Sequence, residues 1–356
     1  MLKQSQVPLH FSILEMYGAV MPTFTSVFDL LAHEVAWFVG PRTLRAMRCL
    51  ARGIREEAEE ALPAVAAAHP GCVYVLGGYA AYDVYLTAAH CFDVATGAWQ
   101  HLPNMAYKRR CAAAATVNGH VYVCGGDDGT NQCVRSCERF DPAGRTWSAI
   151  PQMLEARWGA AAGVLDGKLV VCGGDAGLRC LRTAECFDPQ SEVWQAVATM
   201  EEVRWAAAAA VLGGLLYICG GHDGEKTTRS VERLDSTTGR WKKVESMLCC
   251  RWGLSAGAAA MKLCVCGGDN DFQQLCCAEL FDPKNGKWHV LPLMPTKHVG
   301  PCAVGLASKF YVFGGTDGLG SRLNSAQRFD AKTGKWEVLP KLPISVSGAS
   351  AVAVVP

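Results

Sequence analysis

Five cations recur at one spacing, each four residues after a methionine: Arg109, Arg157, Arg204, Arg251 and His298. A tryptophan follows three of them directly, as Trp158, Trp205 and Trp252. Guanidinium groups gathered in one place form a bidentate trap for carboxylates. Arginine beside tryptophan is also the composition of an interaction hot spot. The competing reading is structural: a repeated arginine can bond neighbouring turns, and the tryptophans can pack between repeated units. Glu155, Glu201 and Glu202 lie in the same segments and dilute the positive charge, and Val346 breaks the series in the last copy. A second series is acidic and turn-like: Asp127-Asp128-Gly129, Asp175 to Arg179, His222-Asp223-Gly224, Asp269-Asn270-Asp271 and Thr316-Asp317-Gly318, with Tyr79 to Tyr85 at its head. Asp-Gly turn chemistry accounts for these without any ligand, and the loops are expected to flank the same surface as the cations and add specificity.

Catalytic constellations are missing from the pattern. There is no HExxH, no Ser/His/Asp order and no paired carboxylate outside the repeated positions. The expectation is a binding protein with no catalytic site, no cofactor and no metal. Net charge is +1 over 356 residues, which argues against a nucleic-acid footprint. The most apolar run, 205–219, contains Gly213-Gly214 and reads as a hairpin, not a membrane span. The first residues are interrupted by Pro8, His10 and Glu15 and do not read as a secretory signal. Among 18 cysteines, Cys124, Cys172, Cys219 and Cys266 each precede a Gly-Gly pair, where Leu76 and Phe313 stand in the other copies. That is a core position filled by a small hydrophobe. Reduced thiols and a cytoplasmic, or alternatively nuclear, protein are expected.

These residues belong to a unit that returns six times. Gly-Gly pairs begin at 77, 125, 173, 220, 267 and 314, so the period is 47 or 48 residues. An aromatic residue or leucine followed by Asp comes 15 or 16 residues later, and a tryptophan six residues after that: Trp99, Trp147, Trp194, Trp241, Trp288 and Trp336. The length change is confined to the stretch after Gly-Gly, which marks a surface loop. In the copy spanning 157–200, Trp158 to Leu165, Lys168 to Cys172, Thr183 to Phe187 and Val193 to Val197 read as four short antiparallel strands joined by turns at Asp166-Gly167 and Asp188 to Ser191. Alanine-rich first strands suit the crowded axis of a radial array.

This unit resembles the kelch repeat, from about residue 62 to the end. The resemblance implies an all-β fold, a six-bladed kelch β-propeller over 61–356. Its ring is closed by 347–355, unless 64–68 takes that place. In kelch-like substrate receptors, arginines at this place in the repeat line the channel mouth and hold acidic peptides. By that resemblance Arg109, Arg157, Trp158, Arg204, Trp205, Arg251, Trp252 and His298 are the expected partner-binding residues. Some kelch propellers are copper or iron enzymes, but the nine histidines here form no such constellation by spacing.

Residues 1–22 are uninformative. Residues 23–60 form a short α-helical segment by pattern, with Val27, Leu30, Leu31, Val35 and Phe38 on one face before Gly40-Pro41, and a second helix from Thr43. Residues 38–55 resemble an F-box, through Val39, Pro41, Leu44, Leu50 and Ile54. The opening Leu-Pro is absent and Ile54 stands where that family has tryptophan. The F-box resemblance implies a Skp-type adaptor and cullin as partners, making the chain a substrate receptor of a cullin–RING ubiquitin ligase. Two readings stay open beside it: a remnant of the helical linker found before kelch-like propellers, and a plain cap. With either, the chain would be an interaction scaffold, for example on actin filaments.

Overall fold

A computed structural model describes residues 71–80, 84–130 and 132–355, all within one compact unit, Ile54–Pro356. The F-box-like residues Val39, Pro41, Leu44, Leu50 and Ile54, and the helical segment that carries them, lie outside the described residues. Every regular element among those described is a strand, and the strands form six four-stranded sheets. Each sheet is one sequence repeat: blade 2 spans 113–150, blade 3 spans 161–197, blade 4 spans 208–244, blade 5 spans 255–290 and blade 6 spans 302–339. Blade 1 is made from both ends of the described chain. Ser350–Val354 is its innermost strand and pairs antiparallel with Cys72–Leu76, followed by Ala89–Asp93 and Trp99–Leu102. Ring closure is therefore a strand ladder, with Tyr74 opposite Val352.

The burial patterns follow from position in the blade. Second strands such as Lys168–Cys172 are buried along nearly their whole length because blades cover both faces. They are accordingly continuous apolar runs. Fourth strands such as Lys335–Leu339 are largely exposed. Between blades lie six apolar clusters; one joins Tyr217 and Met247 of the fourth repeat to Leu263, Phe281 and Trp288 of the fifth.

The repeated tryptophan is an inter-blade tie. Trp194 packs on Phe187 at 5.2 Å between ring centroids, and its indole N–H donates to the Pro151 carbonyl of the preceding connection at 2.8 Å. The same bond recurs from Trp147 to Pro103, Trp241 to Ala198, Trp288 to Glu245 and Trp336 to Pro292. Across the closure Trp99 donates to Pro340.

A hoop of backbone bonds holds the inner strands together at the axis. Cys111 N–H donates to Gly348 O, Gly348 to Gly300, Gly300 to Gly253, Gly253 to Ala206, Ala206 to Gly159 and Gly159 back to Cys111, at 2.7–2.9 Å. All six residues have φ between +50° and +61°. Left-handed backbone favours glycine, yet Cys111 and Ala206 adopt it here. Beside the hoop lies a cavity of about 160 Å³ lined mainly by alanine and glycine.

Candidate partner-binding face

The four arginines of the cation series are inside the protein. Arg109, Arg157, Arg204 and Arg251 are at most 2% exposed. Each side chain runs into its own blade and is consumed there. In blade 4, Arg204 Nη1 donates to the carbonyls of Gly220 and Ser230 at 2.8 and 3.0 Å. Its Nη2 meets Ser230 Oγ at 2.6 Å and Glu232 Oε1 at 3.0 Å. The Glu232 carboxylate also accepts the N–H groups of Glu201 and Glu202. A buried cation, its buried anion and the loop between blades thus form one closed unit. Glu138, Glu185 and Glu279 do the same for Arg109, Arg157 and Arg251. The expected ring of guanidinium groups at the mouth is corrected accordingly: these groups are neutralised and unreachable by a partner.

His298 is also fully buried. Gln327 stands where the other blades have glutamate, and its amide meets His298 Nε2 at 2.8 Å, while Nδ1 faces the Gly314 carbonyl. The arrangement fits a neutral imidazole donating from Nδ1, and burial pushes the His298 pKa down. In blade 1, where Val346 replaces the cation, His90 replaces the carboxylate. Cation and carboxylate are therefore kept or lost together. The sequence carries that signal: Glu138, Glu185, Glu232 and Glu279 each stand three residues before the repeated Asp. Sequence reasoning missed it.

What the mouth presents is the next residue along. Arg110, Trp158, Trp205, Trp252, Val299 and Ser347 pair, in turn, with Asp127, Asp175, His222, Asp269, Thr316 and Tyr79, the first residue after each Gly-Gly. The three tryptophans, all half-buried, form an arc with ring centroids 5.0 and 5.4 Å apart. The arc continues through Arg110, 5.9 Å from the Trp158 ring and 5.0 Å from that of Tyr79, to Arg322, 4.4 Å from Tyr79. Tyr85 donates its hydroxyl to Asp127 at 3.1 Å, and burial raises its pKa. At the other end, Asp271 accepts the Thr227 N–H at 3.0 Å. The Thr227 hydroxyl holds the Asp271 carboxyl below its usual range.

Above this arc the loops after Gly-Gly rise as tips. Leu178, Phe272 and Leu319 sit at the same place in three of them and are 101%, 93% and 92% exposed. The neighbouring inter-blade loops add Tyr107, Leu154 and Leu248, each about half exposed. Isolated exposed apolar residues need no explanation, but several large ones gathered on one face mark an interaction surface. Of the expected site residues, Trp158, Trp205 and Trp252 come together at the mouth. Arg109, Arg157, Arg204, Arg251 and His298 do not reach it. Arg110 and Arg322 were not anticipated, and Tyr79 and the apolar tips belong to the loop series expected beside the mouth without having been singled out in it. Among the described residues no cluster of His, Cys, Asp or Glu could hold a metal ion.

Comparison with known proteins agrees with this architecture. The family model described as the KLHDC2/KLHL20/DRC7 kelch-repeats domain matches residues 64–253, just over half of the chain. The kelch motif matches 298–343. The chain belongs to the kelch-repeat family. A solved structure, "Structure of YjhT", aligns with a TM-score of 0.66 at 17% identity, covering 76% of this chain and 95% of that one, which speaks to the fold alone. A search of curated proteins gives no match.

Proposed function

We propose that this chain is a non-catalytic binding module that captures a protein partner on the face carrying the tryptophan arc. The observation behind this reading is the trio Leu178, Phe272 and Leu319, almost fully exposed at equivalent loop tips around Trp158, Trp205 and Trp252. Large apolar groups held out on rigid blades bury readily against a partner, and aromatic residues beneath them supply anchoring area. The finer reading is a substrate receptor of a cullin–RING ubiquitin ligase. It rests on the F-box-like residues Val39, Pro41, Leu44, Leu50 and Ile54, which would dock a Skp-type adaptor. In that role the protein positions a substrate and makes no bond itself.

Full-length protein tests both levels. Leu44→Ala, Leu50→Ala and Ile54→Ala together should abolish co-purification of a Skp-type adaptor, with the propeller's thermal transition unchanged. Failure of the unsubstituted chain to bind any such adaptor would refute the receptor role and leave an interaction scaffold. Replacing Leu178, Phe272 and Leu319 by Asp should release partners cross-linked to the native protein. Retention of all of them would refute the assigned face.

A further inference from the structure

Equivalent blades serve as internal controls for one another, and blade 5 departs from blades 3 and 4 at one polar junction. In blade 3, Arg157 Nη2 donates to Thr183 Oγ1 at 2.9 Å, and that hydroxyl donates to Glu155 Oε2 at 2.6 Å. In blade 4, Arg204 Nη2 donates to Ser230 Oγ at 2.6 Å, and the hydroxyl passes its proton toward Glu202 Oε2. Both chains run guanidinium, hydroxyl, carboxylate. In blade 5 the hydroxyl is replaced by Cys277 and the carboxylate by Cys249. Arg251 Nη2 donates to Cys277 Sγ at 3.0 Å, and the Cys249 thiol lies beside Cys277.

We propose that Cys249 and Cys277 are a peroxide-reactive thiol pair that closes to a disulfide at the rim of the binding face. Three observations set this pair apart. The two thiols stand at the positions whose side chains hydrogen-bond to one another in blades 3 and 4, on a loop already pinned by the Leu248 and Cys249 N–H groups, which donate to Glu279 at 2.6 and 3.1 Å. Both residues are partly exposed, whereas Cys172, Cys219, Cys266 and Cys302 are buried; burial raises the Cys249 pKa too, and it pushes the fully buried Cys172, Cys219 and Cys302 thiols up to about 12. A guanidinium group donates to one sulfur of the pair, the setting in which thiols act as nucleophiles. Arg251 shares its charge with Glu279, 2.8 Å away, and no other ion pair reaches this junction among the described residues.

The chemistry balances with hydrogen peroxide as the oxidant. The Cys277 thiol gives up its proton as its sulfur attacks one peroxide oxygen, the O–O bond breaks, and the departing hydroxide takes that proton to become water. Cys277 is then a sulfenic acid. The Cys249 sulfur attacks it, the S–O bond breaks, and a second water leaves with the Cys249 proton. Two thiols lose two electrons and the peroxide gains them. The new bond ties the loop carrying Leu248 and Trp252 to the start of the strand Ala278–Asp282.

The test uses the native full-length chain treated with hydrogen peroxide, then alkylation, tryptic digestion and mass spectrometry. The expected product joins peptides 244–251 and 263–284, two hydrogens lighter than their sum, and disappears after reduction by dithiothreitol. It should persist in Cys250→Ser and Cys276→Ser and fall to background in Cys277→Ser. Serine already occupies this place as Ser136 and Ser230, so Cys277→Ser should keep its thermal transition. Cys249→Ser provides the second disabling variant. Recovery of both cysteines fully alkylated after peroxide would overturn the proposal. So would an undiminished cross-link in Cys277→Ser.

Discussion

Arg204→Ala separates a structural arginine from a ligand-binding one. Arg204 is 0% exposed, and its removal leaves the buried Glu232 carboxyl group with only the Glu201 and Glu202 N–H groups to satisfy it. The Gly220 and Ser230 carbonyls lose the guanidinium donor as well. Breaking one side of a buried ion pair costs about 3–5 kcal/mol. With about 2–4 °C of midpoint per kcal/mol for a domain near this size, the thermal transition should fall by roughly 10 °C. Glu232→Ala should do similar damage by stranding the cation. The double variant should lose less than the sum, with a coupling on the order of 1–3 kcal/mol. Thermal and urea unfolding followed by circular dichroism would supply all four corners of this cycle. An Arg204→Ala protein that melts like the unsubstituted one but no longer holds a partner would refute the reasoning and return the guanidinium to the mouth.

Blade 6 lends itself to repair. Its Ser325 hydroxyl is buried without a partner, at the place where Arg204 reaches Ser230, so His298→Arg with Gln327→Glu should add about 0.5–2 kcal/mol, read as a higher melting point. The same pair sets a pH dependence: burial depresses the folded pKa of His298, so the unfolded chain takes up the proton first. Its stability contribution is complete above the ordinary histidine value of about 6.5 and is lost as pH falls below it toward the folded value; melting curves of the double variant should lack that component. Gly220→Ala would set a Cβ 2.5 Å from the Arg251 carbonyl at φ +62° and should prevent folding, seen as insoluble expression. Ala206→Gly relieves a left-handed alanine at φ +50° in the hoop, a strain of about 1–2 kcal/mol, partly offset by about 0.5–1 kcal/mol of glycine entropy; a slightly raised melting point is expected.

Much of the propeller was legible because its constraints repeat. The Gly-Gly period reports a place where the backbone must pass within van der Waals reach of a carbonyl at the start of the next repeat, that of Arg109, Arg157, Arg204, Arg251, His298 or Val346, a demand that recurs in every blade. Asp-Gly and Asp-Pro turns, tryptophan spacing and alanine-rich inner strands are local chemistry of the same kind. The hoop at the axis was not legible. It is a bond between residues of different repeats, and Cys111 and Ala206 in left-handed backbone give no sequence sign of it. The Cys249–Cys277 contact was hidden for a similar reason: the adjacent pairs Cys249-Cys250 and Cys276-Cys277 draw attention to neighbours in the chain, whereas the contact runs between the pairs.

The misreading of the arginines follows from what repetition means. A side chain that recurs at fixed spacing in nearly every unit answers a requirement that every unit shares, and the only such requirement in a propeller is to build and join blades. A partner touches the ring once and breaks its symmetry. Residues that serve it should therefore vary among equivalent positions, as do Arg110, Trp158, Trp205, Trp252, Val299 and Ser347 at the mouth. Leu178, Phe272 and Leu319 at the tips give way to Thr130 and Glu225 at the same place in blades 2 and 4. The buried series instead substitutes in compensating pairs: Arg with Glu four times, His298 with Gln327, and Val346 with His90. Compensation marks an internal contact, and uncompensated variation on an exposed rigid face marks a surface shaped by something outside the chain.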